Sequence, residues 1–163
     1  MVNYSYIIHS KSLHMVSGSM MVIIADDDID DRLLLTEALV ENGLDRDKII
    51  LASDGEELLS ILAEHSQSSC IVFLDLNMPK KNGLKTLEAI RANPTQRHVP
   101  VLIFTTSNSR GDIISSYDMG CNAYFEKPYS YTELVEMIGV IKAYWFQKAT
   151  LINPDYAELP RKN

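Results

Sequence analysis

An α/β fold, a five-stranded parallel sheet with helices on both faces, is what the 163-residue sequence predicts. From Met21 onward, short apolar runs alternate with segments of helical period. That is the pattern of right-handed strand–helix–strand crossovers, which cover both faces of a parallel sheet. The third run, Ile71-Val72-Phe73-Leu74, is apolar at consecutive positions, as in a strand buried on both faces. It ends in Asp75, and Pro79 and Gly83 break the loop beyond. A carboxylate at the carboxyl end of a strand lies on the edge where open α/β sheets bind ligands, whereas an Asp of purely local use would cap a helix or turn.

The elements follow in order. Residues 21–25 form the first strand, and Asp26-Asp27-Asp28 stand at its end. A helix over 29–41 has Leu34, Ala38 and Leu39 as its apolar stripe and Asp30 and Asp31 at its positive end, and Asn42-Gly43 stops it. Residues 48–52 are a second strand. Ser53-Asp54-Gly55-Glu56 has capping-box spacing and opens a helix with Leu58, Leu59 and Leu62 toward the core. After the third strand, Leu84, Leu87 and Ile90 mark a helix ended by Asn93-Pro94. A strand over 99–105, a short helix over 111–119 and a strand over 121–126 come next. The last helix starts near Ser130, where Tyr131, Leu134, Ile138, Ile141 and Trp145 recur at intervals of 3, 4, 3 and 4.

Length and composition suit one domain, placed at residues 21–148, with an N-terminal extension over 1–20 and a C-terminal tail over 149–163. The extension reads either as a loose leader foreign to the domain or as a short ordered arm. It lacks the apolar stretch of a secretory signal. Hydrophobic content of 46% and charge of 23% are ordinary for a globular chain. No apolar run reaches the roughly 18–20 residues of a membrane helix, so a cytoplasmic protein without a membrane partner is expected. A net charge of −7 argues against nucleic acid as a partner. Cys70 and Cys121, each expected at a strand start, would lie about 10 Å apart with one strand between them, too far for a disulfide.

All parallel strands point their carboxyl ends to one edge, which brings Asp26 and Asp27, Asp75, Thr105 and Lys127 together. Crowded carboxylates call for a cation, and an all-oxygen donor set suits Mg²⁺. A carboxylate beside such a cation can attack phosphorus to form an aspartyl phosphate. The reaction then asks for a cation and a hydroxyl near the phosphoryl oxygens, which Lys127 and Thr105 supply. Taken singly, each residue has an ordinary use: a surface turn for Lys127 before Pro128, packing for Thr105, an N-terminal charge cluster for the acids.

Taken together, Asp26-Asp27, Asp75-Leu76-Asn77-Met78-Pro79 with Gly83, Thr105-Thr106-Ser107 and Lys127-Pro128 resemble the receiver domain of two-component response regulators over residues 21–148. The resemblance implies a flavodoxin-like doubly wound sheet of order 2-1-3-4-5, an order the general rule for this fold already illustrates with a member of the family. It implies Asp75 as phospho-acceptor, Asp27 as a direct Mg²⁺ ligand, Asp26 as a ligand through water and Asn77 as a ligand through its carbonyl. Lys127 and Thr105 would contact the phosphoryl group, Tyr124 would turn inward with Thr105, and the Lys127-Pro128 bond would be cis. Whether Asp28, Asp30 or Asp31 also touches metal stays open.

Asp-Asp-Asp-Ile-Asp-Asp-Arg from Asp26, the loop from Met78 to Gly83 and Arg91-Ala92-Asn93-Pro94 resemble the single-domain subgroup associated with phytochrome-type and other sensor kinases. No DNA-binding helix pair or catalytic output domain is expected after Lys148. The expected function is a switch in phosphorelay signalling: a phosphoryl group from a sensor histidine kinase or phosphotransfer protein changes which proteins the domain binds. A homodimer through the fourth helix, fifth strand and fifth helix is one such contact. The domain itself would show at most slow self-dephosphorylation. The alternative is an aspartate-nucleophile Mg²⁺-dependent phosphatase, although that pattern needs a second Asp where Asn77 stands.

Overall fold

The computed structural model describes residues 20–152. The extension and most of the tail discussed above lie outside the described residues.

Five parallel strands, β1 (Met21–Ala25), β2 (Ile49–Ala52), β3 (Cys70–Leu74), β4 (Val101–Thr105) and β5 (Ala123–Glu126), form one sheet of order β2-β1-β3-β4-β5. Helices α1 (Ile29–Glu41), α2 (Gly55–Glu64), α3 (Gly83–Ala92), α4 (Arg110–Asp118) and α5 (Tyr131–Trp145) connect and follow them. Successive strand residues point to opposite faces. Val22, Ile24, Ile71, Phe73, Leu102 and Phe104 accordingly pack under α1 and α5, while Ile23, Ala25, Val72, Leu74, Val101 and Ile103 pack under α2 and α3. Phe73 meets Phe104 edge to face, with ring centroids 5.9 Å apart.

Several local expectations shift. The buried stripe of α1 is Leu35, Thr36, Ala38 and Leu39, whereas Leu34 is 46% exposed. The run Leu33-Leu34-Leu35 offers three registers, and packing against α5 selects Leu35. Lys48 closes a 3₁₀ turn rather than opening β2. The cap of α2 is Asp54, one residue later than expected: its carboxylate accepts from Glu56 N and Glu57 N, and Glu57 reaches back to the Ser53 N–H and hydroxyl, both at 2.7 Å. β4 begins two residues late, after Pro100, which has no N–H for the ladder. Cys121 lies before β5, not in it, and both cysteines are buried and free. No helix among the described residues is long and apolar enough to cross a membrane.

Candidate functional site

β1 ends one residue before Asp26, and the Asp75 N–H donates to Ala25 O at 2.9 Å, so the two central strands deliver their acids side by side. Asp26 and Asp75 are buried and Asp27 is exposed, and the three offer carboxylate oxygens that all lie within 4.8 Å of one another. Asp75 Oδ2 accepts from the Asn77 N–H at 2.9 Å. Asp75 Oδ1 is buried without a hydrogen-bond partner. A buried, unpartnered carboxylate oxygen beside two more carboxylates is the donor set of a hard divalent cation.

β5 carries Lys127 to the same place, its N–H donating to Thr105 O at 2.8 Å. The ammonium lies 2.6 Å from Asp26 Oδ2, 2.7 Å from Asp31 Oδ2 and 3.7 Å from Asp75 Oδ1. Burial alone would push this lysine down. Its bonds to Asp26 and Asp31 and the charge of Asp75 outweigh that and hold it above its usual value. Burial raises the Asp26 carboxyl even though Lys127 stabilises its charge. Among the described residues no peptide bond is cis, so the expected cis bond between Lys127 and Pro128 is corrected to trans. The trans form is intrinsically favoured by about 0.5–1 kcal/mol before Pro, and with it Lys127 already reaches the acids.

Thr105 is fully buried at the end of β4, and its Oγ1 accepts a long bond from Ser107 N at 3.4 Å. The Tyr124 ring packs against the sheet cluster under α2 and α3, and its hydroxyl donates to Ser107 O at 2.8 Å. Burial raises this phenol above its usual value. Ser107 in turn donates to Asp112 Oδ2 at 2.5 Å, tying the β4–α4 loop to the first turn of α4.

The further acids divide. Asp28 is the N-cap of α1, accepting from Asp30 N at 2.8 Å and Asp31 N at 3.2 Å, and Asp31 binds Lys127. Sequence reasoning missed the roles of Asp31 and Ser107.

Fold and site together define a doubly wound α/β protein with three carboxylates and a lysine gathered at the carboxyl edge of its sheet. The chain belongs to the family described as the response regulator receiver domain, whose sequence model matches residues 22–139. It is 32% identical over 136 residues to response regulator Rcp1 of Synechocystis sp., covering 80% of this chain and 92% of that protein. The crystal structure of the phosphorylated cyanobacterial phytochrome response regulator RcpA superposes with a TM-score of 0.74 at 31% identity, covering 82% of this chain and 97% of that one. The Mn(2+)-bound form of response regulator Rcp1 superposes with a TM-score of 0.71 at 30% identity, covering 82% and 99%. The chain is thus a receiver domain of two-component signalling, with an acidic pocket of the type in which such domains bind Mg²⁺ or Mn²⁺.

Proposed function

We propose that Asp75 accepts a phosphoryl group from a sensor histidine kinase or a phosphotransfer protein, and that the acyl phosphate changes which proteins the domain binds. The observation that carries this reading is Asp75 Oδ1, a buried oxygen without a hydrogen-bond partner that lies 3.7 Å from the Lys127 ammonium. In the transfer, a carboxylate oxygen of Asp75 bonds to phosphorus as the donor's P–N bond breaks, and the donor histidine nitrogen keeps the electron pair. Asp26, Asp27, Asp75 and the Asn77 carbonyl would hold Mg²⁺. When bound, this cation supplies positive charge for the phosphoryl oxygens. Lys127 neutralises another of those oxygens, and the Thr105 hydroxyl turns to donate to it. Ile29 and Leu33 on α1 and the nearly fully exposed Tyr129 offer a donor protein apolar contact near this edge.

Acetyl phosphate with Mg²⁺ tests the assignment. Intact mass rises by one phosphate in the parent and stays unchanged in Asp75→Asn; equal addition to the variant removes Asp75 from the role. The phosphatase alternative lacks its acid–base residue, since the second position after Asp75 is Asn77. Multiple-turnover hydrolysis of a phosphomonoester by the parent, lost in Asp75→Asn, would restore it.

Output passes to the face of α4, β5 and α5. Ile114 and Tyr117 on α4 are exposed, as are Val140 and Tyr144 on α5. An apolar groove of about 750 Å³ runs between β5 and α5 along Phe125, Met137, Val140, Tyr144 and Trp145. A second copy of the chain is the occupant proposed for this face.

A further inference from the structure

Asp31 has no part in the chemistry described so far, yet it makes one of the two closest contacts of Lys127. An ammonium has three N–H donors. Two of them meet carboxylates, Asp26 at 2.6 Å and Asp31 at 2.7 Å, and the 3.7 Å to Asp75 Oδ1 is beyond hydrogen-bond range. Asp31 is not among the three acids whose oxygens cluster within 4.8 Å. Its backbone is fixed by the α1 cap, since its N–H donates to Asp28 Oδ1 at 3.2 Å. Its side chain is 35% exposed while that of Lys127 is 11% exposed, so Asp31 holds the ammonium from the solvent side.

We infer that Asp31 is a positioning residue that competes with the phosphoryl group for Lys127, which restrains the switch in its unphosphorylated form. The inference rests on Asp75 being the phospho-acceptor. A phosphoryl group on Asp75 must draw the ammonium away from its present partners. Asp26 can be relieved of that contact by a cation in the acid cluster, but Asp31 stands outside the cluster and keeps its hold whether metal is bound or not. Any ligand shifts a two-state equilibrium only by its differential affinity, so weakening the competitor strengthens the mimic.

The test is the affinity for beryllofluoride in saturating Mg²⁺, read by calorimetry. Asp31→Asn is expected to bind it about three- to tenfold more tightly than the parent, the range a partly exposed charge-assisted hydrogen bond carries. Asp30→Asn removes the same charge one residue away and Asp31→Glu keeps the carboxylate, so both stay within about twofold of the parent. The Lys127 ammonium resonance of the metal-free protein gives a second reading: it shifts in Asp31→Asn and stays in Asp30→Asn. Equal or weaker binding by Asp31→Asn, or an unmoved resonance, overturns the inference, as does a tenfold loss of Mg²⁺ affinity beyond that of Asp30→Asn, which would make Asp31 a metal ligand. A parent that fails to bind the mimic overturns the phospho-acceptor reading instead, and the inference with it.

Discussion

Lys80 reaches the N-cap of the neighbouring helix: its ammonium lies 2.5 Å from Asp54 Oδ2, while Asp54 Oδ1 caps α2. Lys80 adopts a left-handed φ of 58°, unfavourable for a side chain of its kind. The pair ties the loop that follows Asp75 to α2. The hydrogen bond from Lys80, together with those from Glu57 N and Glu56 N, holds the Asp54 carboxyl below its ordinary value of 3.8. A depressed folded value means stability that is present above the unfolded value and lost as pH falls through the folded one. Thermal melts of the parent are therefore expected to drop below about pH 4. In Lys80→Ala, where the folded Asp54 value lies closer to the unfolded one, and in Asp54→Asn, which has no carboxyl to protonate, the acid limb is shallower than the parent's. A Lys80→Ala profile that overlays the parent's would show that the pair contributes nothing to folding.

The turn between Asp75 and α3 depends on a missing side chain. A Cβ on Gly83 would lie 2.2 Å from the Asp75 carbonyl oxygen and 2.8 Å from Leu76 Cα, both rigid backbone. Gly83→Ala is expected to cost at least about 2 kcal/mol, at the upper end of ordinary overpacking. Gly111 on α4 meets nothing closer than Ser109 Oγ at 3.8 Å. Gly111→Ala should therefore be neutral or stabilise by about 0.5 kcal/mol through the lower backbone entropy of the unfolded chain. Urea denaturation of the two variants checks both signs, and the Gly83 variant should also lose phosphoryl acceptance, because the Asp75 backbone must move to admit the methyl.

Metal binding should be legible as stability. Asp26, Asp27 and Asp75 repel one another, and a cation that binds only the native state adds RT ln(1 + [L]/Kd), about 2.7 kcal/mol at a hundredfold excess over Kd. Mg²⁺ is expected to raise the melting temperature of the parent by several degrees, and Asp27→Ala, which removes the exposed acid of the cluster, should lose most of that response. An Asp27→Ala protein that responds as strongly as the parent would place the metal elsewhere.

How much of this could be read without coordinates differs by residue. Asp26, Asp27, Asp75, Thr105 and Lys127 were legible because a parallel sheet sends every strand end to one edge, so locating the strands locates the site. The register of α1 was not, because Leu33, Leu34 and Leu35 are chemically equal and only the position of α5 distinguishes them. Nor was the bond between Asp31 and Lys127, 96 residues apart, since it depends on where the first turn of α1 sits above β5. The apolar Val99 and Cys121 place the starts of β4 and β5 too early: Pro100 has no N–H for the ladder, and Cys121 stands level with Pro100, before β4 begins.

The route proposed from site to surface runs through Thr105, Ser107 and Tyr124. Ser107 accepts from the Tyr124 hydroxyl at 2.8 Å through its carbonyl and binds Asp112 of α4 at 2.5 Å through its hydroxyl, while its N–H points to Thr105 Oγ1 at 3.4 Å. A Thr105 hydroxyl recruited by a phosphoryl group releases that long bond, and the loop can then move with α4. Coupling of this kind is typically worth about 1–3 kcal/mol, which gives a partial shift of population. Beryllofluoride with Mg²⁺ is therefore expected to raise the size-exclusion mass of the parent toward that of a dimer, with a smaller shift in Thr105→Ala and in Tyr124→Phe. An unchanged parent mass would remove self-association as the output, and a full shift that survives Thr105→Ala would remove the route through β4.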